Sequence, residues 1–132
     1  MNQAPLTHAG LRHVALFVHR LEECVAFYTQ VLGYHVEWHP DPDNIYLCSG
    51  SDNLALHRRA EPAPDHGRLD HIGVLVKAAD DVDRWHDRCT AANVTIVAKP
   101  RTHRDGARSF YCKDPDGTVV QFIPQPPIAP TA

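Results

Sequence analysis

Two histidines hold matching places in a phrase that the chain states twice. Leu11-Arg12-His13-Val14-Ala15-Leu16-Phe17-Val18 returns at an offset of 58 residues as Leu69-Asp70-His71-Ile72-Gly73-Val74-Leu75-Val76. A second correspondence, at an offset of 64, aligns the stretch from Tyr46 to Asn53 with that from Phe110 to Gly117 and sets His57 on Gln121. Imidazole nitrogens suit divalent first-row metals. A duplicated unit with a histidine on its first strand and a polar residue on its last can bring four ligands together. For His57 three readings stand: ligand, general base, or solvent-facing residue beside Arg58 and Arg59. Gln121 reads equally as a ligand or as a buried amide bonded to the neighbouring strand.

Further groups suit the binding of a small molecule. The stretch from Lys99 to Arg108 holds Arg101, His103, Arg104 and Arg108 around Gly106. Guanidinium groups there, Arg104 and Arg108 above all, can grip a carboxylate or phosphate; the competing reading is a solvated basic loop. Trp38, Tyr46 and Tyr111 are either aromatic walls of a pocket or sheet packing. The four cysteines, Cys24, Cys48, Cys89 and Cys112, lack the CxxC spacing of a zinc site and are expected as reduced, buried small hydrophobes.

The elements that must position these residues come from periodicity. Residues 11–18 are an apolar, β-branched run and predict a strand. Leu21, Cys24, Val25, Phe27, Tyr28, Val31 and Leu32 recur at helical spacing, and Gly33 is the expected stop. Strands follow at 34–39, 45–48 and 54–59, separated by turns at 40–44 and 52–53. The order is β-α-β-β-β. A linker at 60–68 leads to a second copy: strand 69–76, helix 80–92 with Val82, Trp85, Cys89 and Ala92 on one face, and strand 94–98. A loop at 100–107, strand 108–112, the turn Asp114-Pro115-Asp116-Gly117 and strand 118–123 complete it. Residues 1–10 are read as a loose arm and 125–132, rich in proline, as a flexible tail. Alternation sets Leu54 and Leu56 opposite Ala55 and His57, and Val120 and Phe122 opposite Val119 and Gln121. If Leu54, Leu56, Val120 and Phe122 pack beneath the helices, His57 and Gln121 point into the open cup.

Bulk composition sets bounds. With 132 residues, 43% hydrophobic, 22% charged and a net charge of -3, the chain suits one compact globular domain. No basic stripe points to nucleic acid and no polybasic or long apolar segment to a membrane, so a cytoplasmic protein is expected.

Together these residues resemble the vicinal oxygen chelate superfamily, which holds glyoxalases, bleomycin-resistance proteins and extradiol dioxygenases. The resemblance spans about residues 11–124 and rests on His13, Phe27-Tyr28 with Leu32-Gly33, His71, and Asp114-Pro115-Asp116-Gly117 followed by Thr118-Val119-Val120-Gln121-Phe122. It implies an α+β fold of two tandem βαβββ modules, 11–59 and 69–124, forming a cupped, half-open barrel. It also implies a homodimer and a divalent metal (Zn, Ni, Mn or Fe(II)) at His13, His57, His71 and Gln121. The implied activity is that of a glyoxalase-like lyase or isomerase acting on a small substrate chelated through vicinal oxygens, with His57 as its base. A binding protein of the bleomycin-resistance kind and an extradiol dioxygenase are the alternatives. Three-ligand relatives usually carry glutamate where this chain has Gln121, and that departure weakens the dioxygenase reading most.

Overall fold

A computed structural model describes residues 4–65, 67–104 and 106–124; the expected tail at 125–132 lies outside them. The first module consists of β1 (His13–Val18), α1 (Leu21–Ala26), a π-helical turn (Phe27–Val31), β2 (His35–Asp41), β3 (Asn44–Cys48) and β4 (Asn53–Arg58). The second consists of β5 (Ile72–Val76), α2 (Ala79–Ala91), β6 (Thr95–Thr102), β7 (Arg108–Lys113) and β8 (Val119–Pro124). Each module forms its own four-stranded sheet, ordered β1-β4-β3-β2 and β5-β8-β7-β6. The first and last strands of each module pair in parallel, the others antiparallel. The fold is therefore α+β, two tandem βαβββ modules with open sheets, cupped and half-open rather than a closed barrel.

Alternation decides which sheet face is buried. Leu16, Val18, Leu54, Leu56, Phe110, Val120 and Phe122 lie beneath the helices in one continuous core. Trp85 of α2 stacks on Phe122 (5.3 Å), and Phe122 on Phe110 (4.9 Å). The four cysteines are free and buried, as expected.

The first helix departs from the uniform helix expected over 21–32. The Thr29 hydroxyl donates to the Val25 carbonyl at 2.7 Å, and the Leu32 N–H reaches the Phe27 carbonyl at 3.1 Å. Such back-bonding accompanies a widened turn. Gly33, at φ 85°, then ends the helix as expected. Two edge strands run longer than predicted. β2 takes in Pro40 and β6 takes in Pro100, each beside a register irregularity. Proline lacks a ladder donor and is tolerated on edge strands and at bulges, so neither proline ends its strand.

Module two holds the first helix at both ends. The Asp116 carboxylate accepts from the His19 and Arg20 N–H groups at 3.0 and 2.9 Å, at the helix N-terminus. The Arg88 guanidinium donates to the Val31 and Gln30 carbonyls at 2.7 and 3.2 Å, at the C-terminus. Both charges have the sign that the helix dipole favours. Between them the buried Tyr28 hydroxyl donates to Asp114 at 2.9 Å. The Asp-Pro-Asp-Gly turn is thus the joint between the modules: Asp114 also closes the turn on the Asp116 and Thr118 N–H groups, both at 2.9 Å.

Candidate functional site

The sheet faces turned away from the helices carry the candidate residues. On module one, His13, Ala15 and Phe17 of β1 share this face with Asn53, Ala55 and His57 of β4 and with Asn44 and Tyr46 of β3, as the register and the burial alternation require. On module two, His71 just before β5 shares it with Val119, Gln121 and Ile123 of β8 and with Tyr111 of β7.

The ladders correct one expectation. Ala15 pairs with Ala55, and its repeat counterpart Gly73 pairs with Gln121. Tyr46 faces Ala55 as Tyr111 faces Gln121. The counterpart of Gln121 is therefore Ala55, at an offset of 66 rather than 64. His57 lies two residues further along β4, opposite Phe17. It stands about 13 Å along the strand from Asn53, which pairs with His13, at roughly 3.3 Å per residue. His57 and His13 thus occupy opposite ends of the same open face.

Each of the three imidazoles has its Nδ1 engaged. His13 Nδ1 lies 2.7 Å from Asn53 Oδ1, while Asn53 Nδ2 donates to Glu37 at 2.8 Å. His57 Nδ1 lies 2.6 Å from Asn44 Oδ1, while Asn44 Nδ2 donates to both Asp41 oxygens at 2.9 and 3.1 Å. His71 Nδ1 lies 2.6 Å from Asp70. An ionised carboxylate only accepts, so each asparagine must turn its NH2 toward the acid and its oxygen toward the imidazole. Nδ1 is then the donor, and Nε2 keeps its lone pair. The Asn44 amide and the Asp43 N–H also hold the Asp41 carboxyl below the usual carboxylate range.

Gln121 shows the same division of labour. Its Nε2 donates to the Tyr111 hydroxyl at 2.9 Å, which leaves Oε1 as the available donor atom toward a ligand. The Tyr111 ring meets His71 edge-on at 5.5 Å. Beside them opens a broad cleft of about 760 Å³ lined by Arg101, His103, Arg104, Tyr111 and Gln121. Arg104 lies on this cleft. Arg108 does not. It falls on the helix side with Phe110, and its guanidinium makes a two-pronged pair with Asp83 of α2, both contacts at 2.8 Å. On module one Trp38 stacks on Tyr46 (5.2 Å, 22°) yet remains 59% exposed. Tyr46 and Phe17 meet the His57 ring at 5.9 and 6.0 Å.

Glu37, Asn53, Asn44 and Asp41 were not among the residues singled out in the sequence. Asn53 looks like half of a hairpin turn, and Asp41 and Asn44 like members of a polar turn. Only the register of β1 on β4 and of β3 on β4 sets the two asparagines beside histidines.

A family model described as the glyoxalase/bleomycin resistance protein/dioxygenase superfamily matches residues 10–122. The chain belongs to this superfamily. Among curated superfamily proteins it is 27% identical over 122 residues to a 3-methylcatechol 2,3-dioxygenase of Pseudomonas putida, covering 86% of this chain and 41% of that protein. It is 28% identical over 67 residues to the phenazine antibiotic resistance protein EhpR of Enterobacter agglomerans, covering 48% and 51%. The chain thus spans about two-fifths of the dioxygenase's length. Among solved structures, a lactoylglutathione lyase from Agrobacterium tumefaciens superposes with a TM-score of 0.70 at 24% identity, covering 89% of this chain and 94% of that one. An integron cassette protein from a sewage-outfall metagenome superposes at 0.75 with 22% identity, covering 87% and 97%. These likenesses carry the superfamily fold.

Proposed function

We propose that the protein is a metal-dependent enzyme of the glyoxalase-like kind, a lyase or isomerase, acting on a small substrate that chelates the metal through two adjacent oxygens. The observation that supports it most is the state of the donors. His13 and His71 occupy the same place in the two modules with Nδ1 engaged and Nε2 bare, and Gln121 leaves its Oε1 uncommitted. By type, two imidazole nitrogens and one amide oxygen suit a divalent zinc, nickel, manganese or iron(II) ion. Among the described residues no preformed group of three His, Cys, Asp or Glu side chains is placed to hold one, so sheet pairing in the dimer must bring His13 to His71 and Gln121. Such an ion supplies Lewis-acid polarisation of the chelated oxygens. All three protein donors are neutral, so charge balance favours a substrate that brings negative charge of its own, such as an enediolate, a catecholate or a carboxylate.

The chain's remaining residues have distinct tasks in this reading. His57 accepts a proton from the part of the substrate that extends beyond its chelated oxygens toward Tyr46. Trp38, Tyr46 and Tyr111 wall the substrate, and Arg101 and Arg104 hold an anionic group near Gln121. Phe17, Trp38 and Leu75 leave apolar surface on the open faces, which supports a homodimer that covers them.

The test is metal content, measured by mass spectrometry on untagged protein purified without chelator, with the His13→Ala/His71→Ala double variant as control. Near-stoichiometric metal that disappears in the variant is expected. No metal after incubation with zinc, nickel, manganese and iron(II) sinks the metalloenzyme reading. A second reading, a ligand-sequestering protein without catalysis, is favoured by the exposed Trp38 stacked on Tyr46 and by the absence of a carboxylate at Gln121. Thermal stabilisation by a planar aromatic ligand in the presence of chelator would select it.

A further inference from the structure

We propose that Asn53 and Asn44, each turned by a carboxylate, hold His13 and His57 in the Nδ1–H tautomer and so present a bare Nε2 to the open face. Two separate chains of hydrogen bonds carry this: Glu37 to Asn53 to His13, and Asp41 to Asn44 to His57. In each, the acid fixes the orientation of the amide and the amide fixes the proton on the ring. An imidazole in water prefers its proton on Nε2, the opposite arrangement. The two relays therefore impose a tautomer that the side chains would not adopt unaided.

Among the described residues the relays belong to module one. The ladder makes Val119 the counterpart of Asn53, and a valine can receive no proton; His71 leans instead directly on Asp70. The four residues are positioning residues, for they act through the histidines. Preset tautomers spare His13 and His57 any rearrangement before they coordinate an ion or accept a proton. That advantage rests on the function proposed above, but the tautomers themselves do not.

The experiment uses the full chain, labelled with nitrogen-15, freed of metal by chelator and held at about pH 8, where neutral imidazole dominates. Long-range proton–nitrogen correlation spectra distinguish the two ring nitrogens. His13 and His57 are expected with a protonated Nδ1 and a bare Nε2. Asn53→Ala should release His13 toward the Nε2–H form and leave His57 as it was, and Asn44→Ala should do the reverse. Glu37→Gln should weaken the preference of His13 for the Nδ1–H form, because the glutamine amide can donate as well as accept and no longer dictates which way the Asn53 amide turns. If Asn53→Ala does not fold, Glu37→Leu carries the same test by freeing the asparagine to flip. A generalised loss of structure would move both histidines together, whereas the relays predict one at a time.

Zinc titration of the same proteins is the second arm. Loss of an oriented partner to a ligand histidine lowers metal affinity by about 10- to 100-fold, the loss expected for Asn53→Ala. Wild-type His13 and His57 in the Nε2–H form, or a His13 tautomer indifferent to Asn53→Ala, would overturn the proposal. Wild-type protein that shows the stated tautomers but binds no zinc would uphold the relays and count against the metal site alone.

Discussion

Deleting the Tyr28 hydroxyl isolates the joint between the two modules. The hydroxyl is wholly buried and donates to Asp114 at 2.9 Å. Tyr28→Phe removes one oxygen atom, keeps the ring against Phe27 and Tyr34, and leaves one Asp114 oxygen without its donor. A hydrogen bond to an ionised acceptor contributes about 1.5–3 kcal/mol, and one between neutral groups about 0.5–1.5 kcal/mol. The larger figure applies while Asp114 is ionised, the smaller once it carries a proton. Burial raises the Asp114 carboxyl above the usual range, against the lowering effect of hydrogen bonds from Thr118, Tyr28 and Asp116. A raised carboxyl favours the fold in its neutral form. Its contribution is complete below the unfolded-state value and is lost as pH climbs through the folded-state value. Tyr28→Phe strips away one lowering contact and moves the carboxyl further up. The variant's deficit should therefore be about 1.5–3 kcal/mol while Asp114 is ionised and shrink by roughly half once it is protonated, so it falls as pH is lowered. Urea unfolding followed by tryptophan fluorescence, repeated across a series of pH values, measures the deficit in both states. A deficit under about 0.5 kcal/mol throughout the series, or one that does not change with pH, would refute this account of the joint.

Other expectations follow from single positions. Gly33 sits at φ 85° with open space where a Cβ would go, so Gly33→Ala should cost about 1–2 kcal/mol from backbone conformation alone, read by the same unfolding assay. Phe122 is fully buried between Trp85 and Phe110; Phe122→Ala should cost about 3–5 kcal/mol and expose apolar surface to a dye such as ANS. Arg108→Ala should lower the melting temperature slightly by freeing Asp83, and leave the affinity for any ligand of the open face unchanged; a large loss of ligand affinity would show that Arg108 leaves its helix-side pair.

Much of the fold was legible because period and punctuation agree along the chain. Leu54 and Leu56 flank Ala55, and Val120 and Phe122 flank Gln121, so alternation sets each pair on one strand face. Gly33 ends its helix because only its backbone adopts a positive φ at no cost. The edge strands were harder to read. Pro40 and Pro100 look like terminators in one dimension, and only their place at a sheet edge, where no ladder donor is needed, makes them strand residues. The π-helical turn also escaped, since Thr29 back-bonding changes the helix without changing its apolar spacing.

The site divides along the same line. The repeat by itself determined that His13 and His71 are equivalent, because a conserved offset along the first strand of each module needs no geometry. It could not determine the mate of Gln121, since the loops of the two modules differ in length and the later strands shift relative to the first. The parallel pairing of β1 with β4 and of β5 with β8 decided that, giving Ala55 and setting His57 at the far end of the face. Alternation could have removed Arg108 from the open face once Phe110 was taken as core, but Asp83, its partner, lies on a different element. The relays through Asn53 and Asn44 were decided by tertiary structure alone. A proton's position on an imidazole depends on which atom lies within about 3 Å of each ring nitrogen, and those atoms come from strands that the sequence sets 13 to 40 residues away.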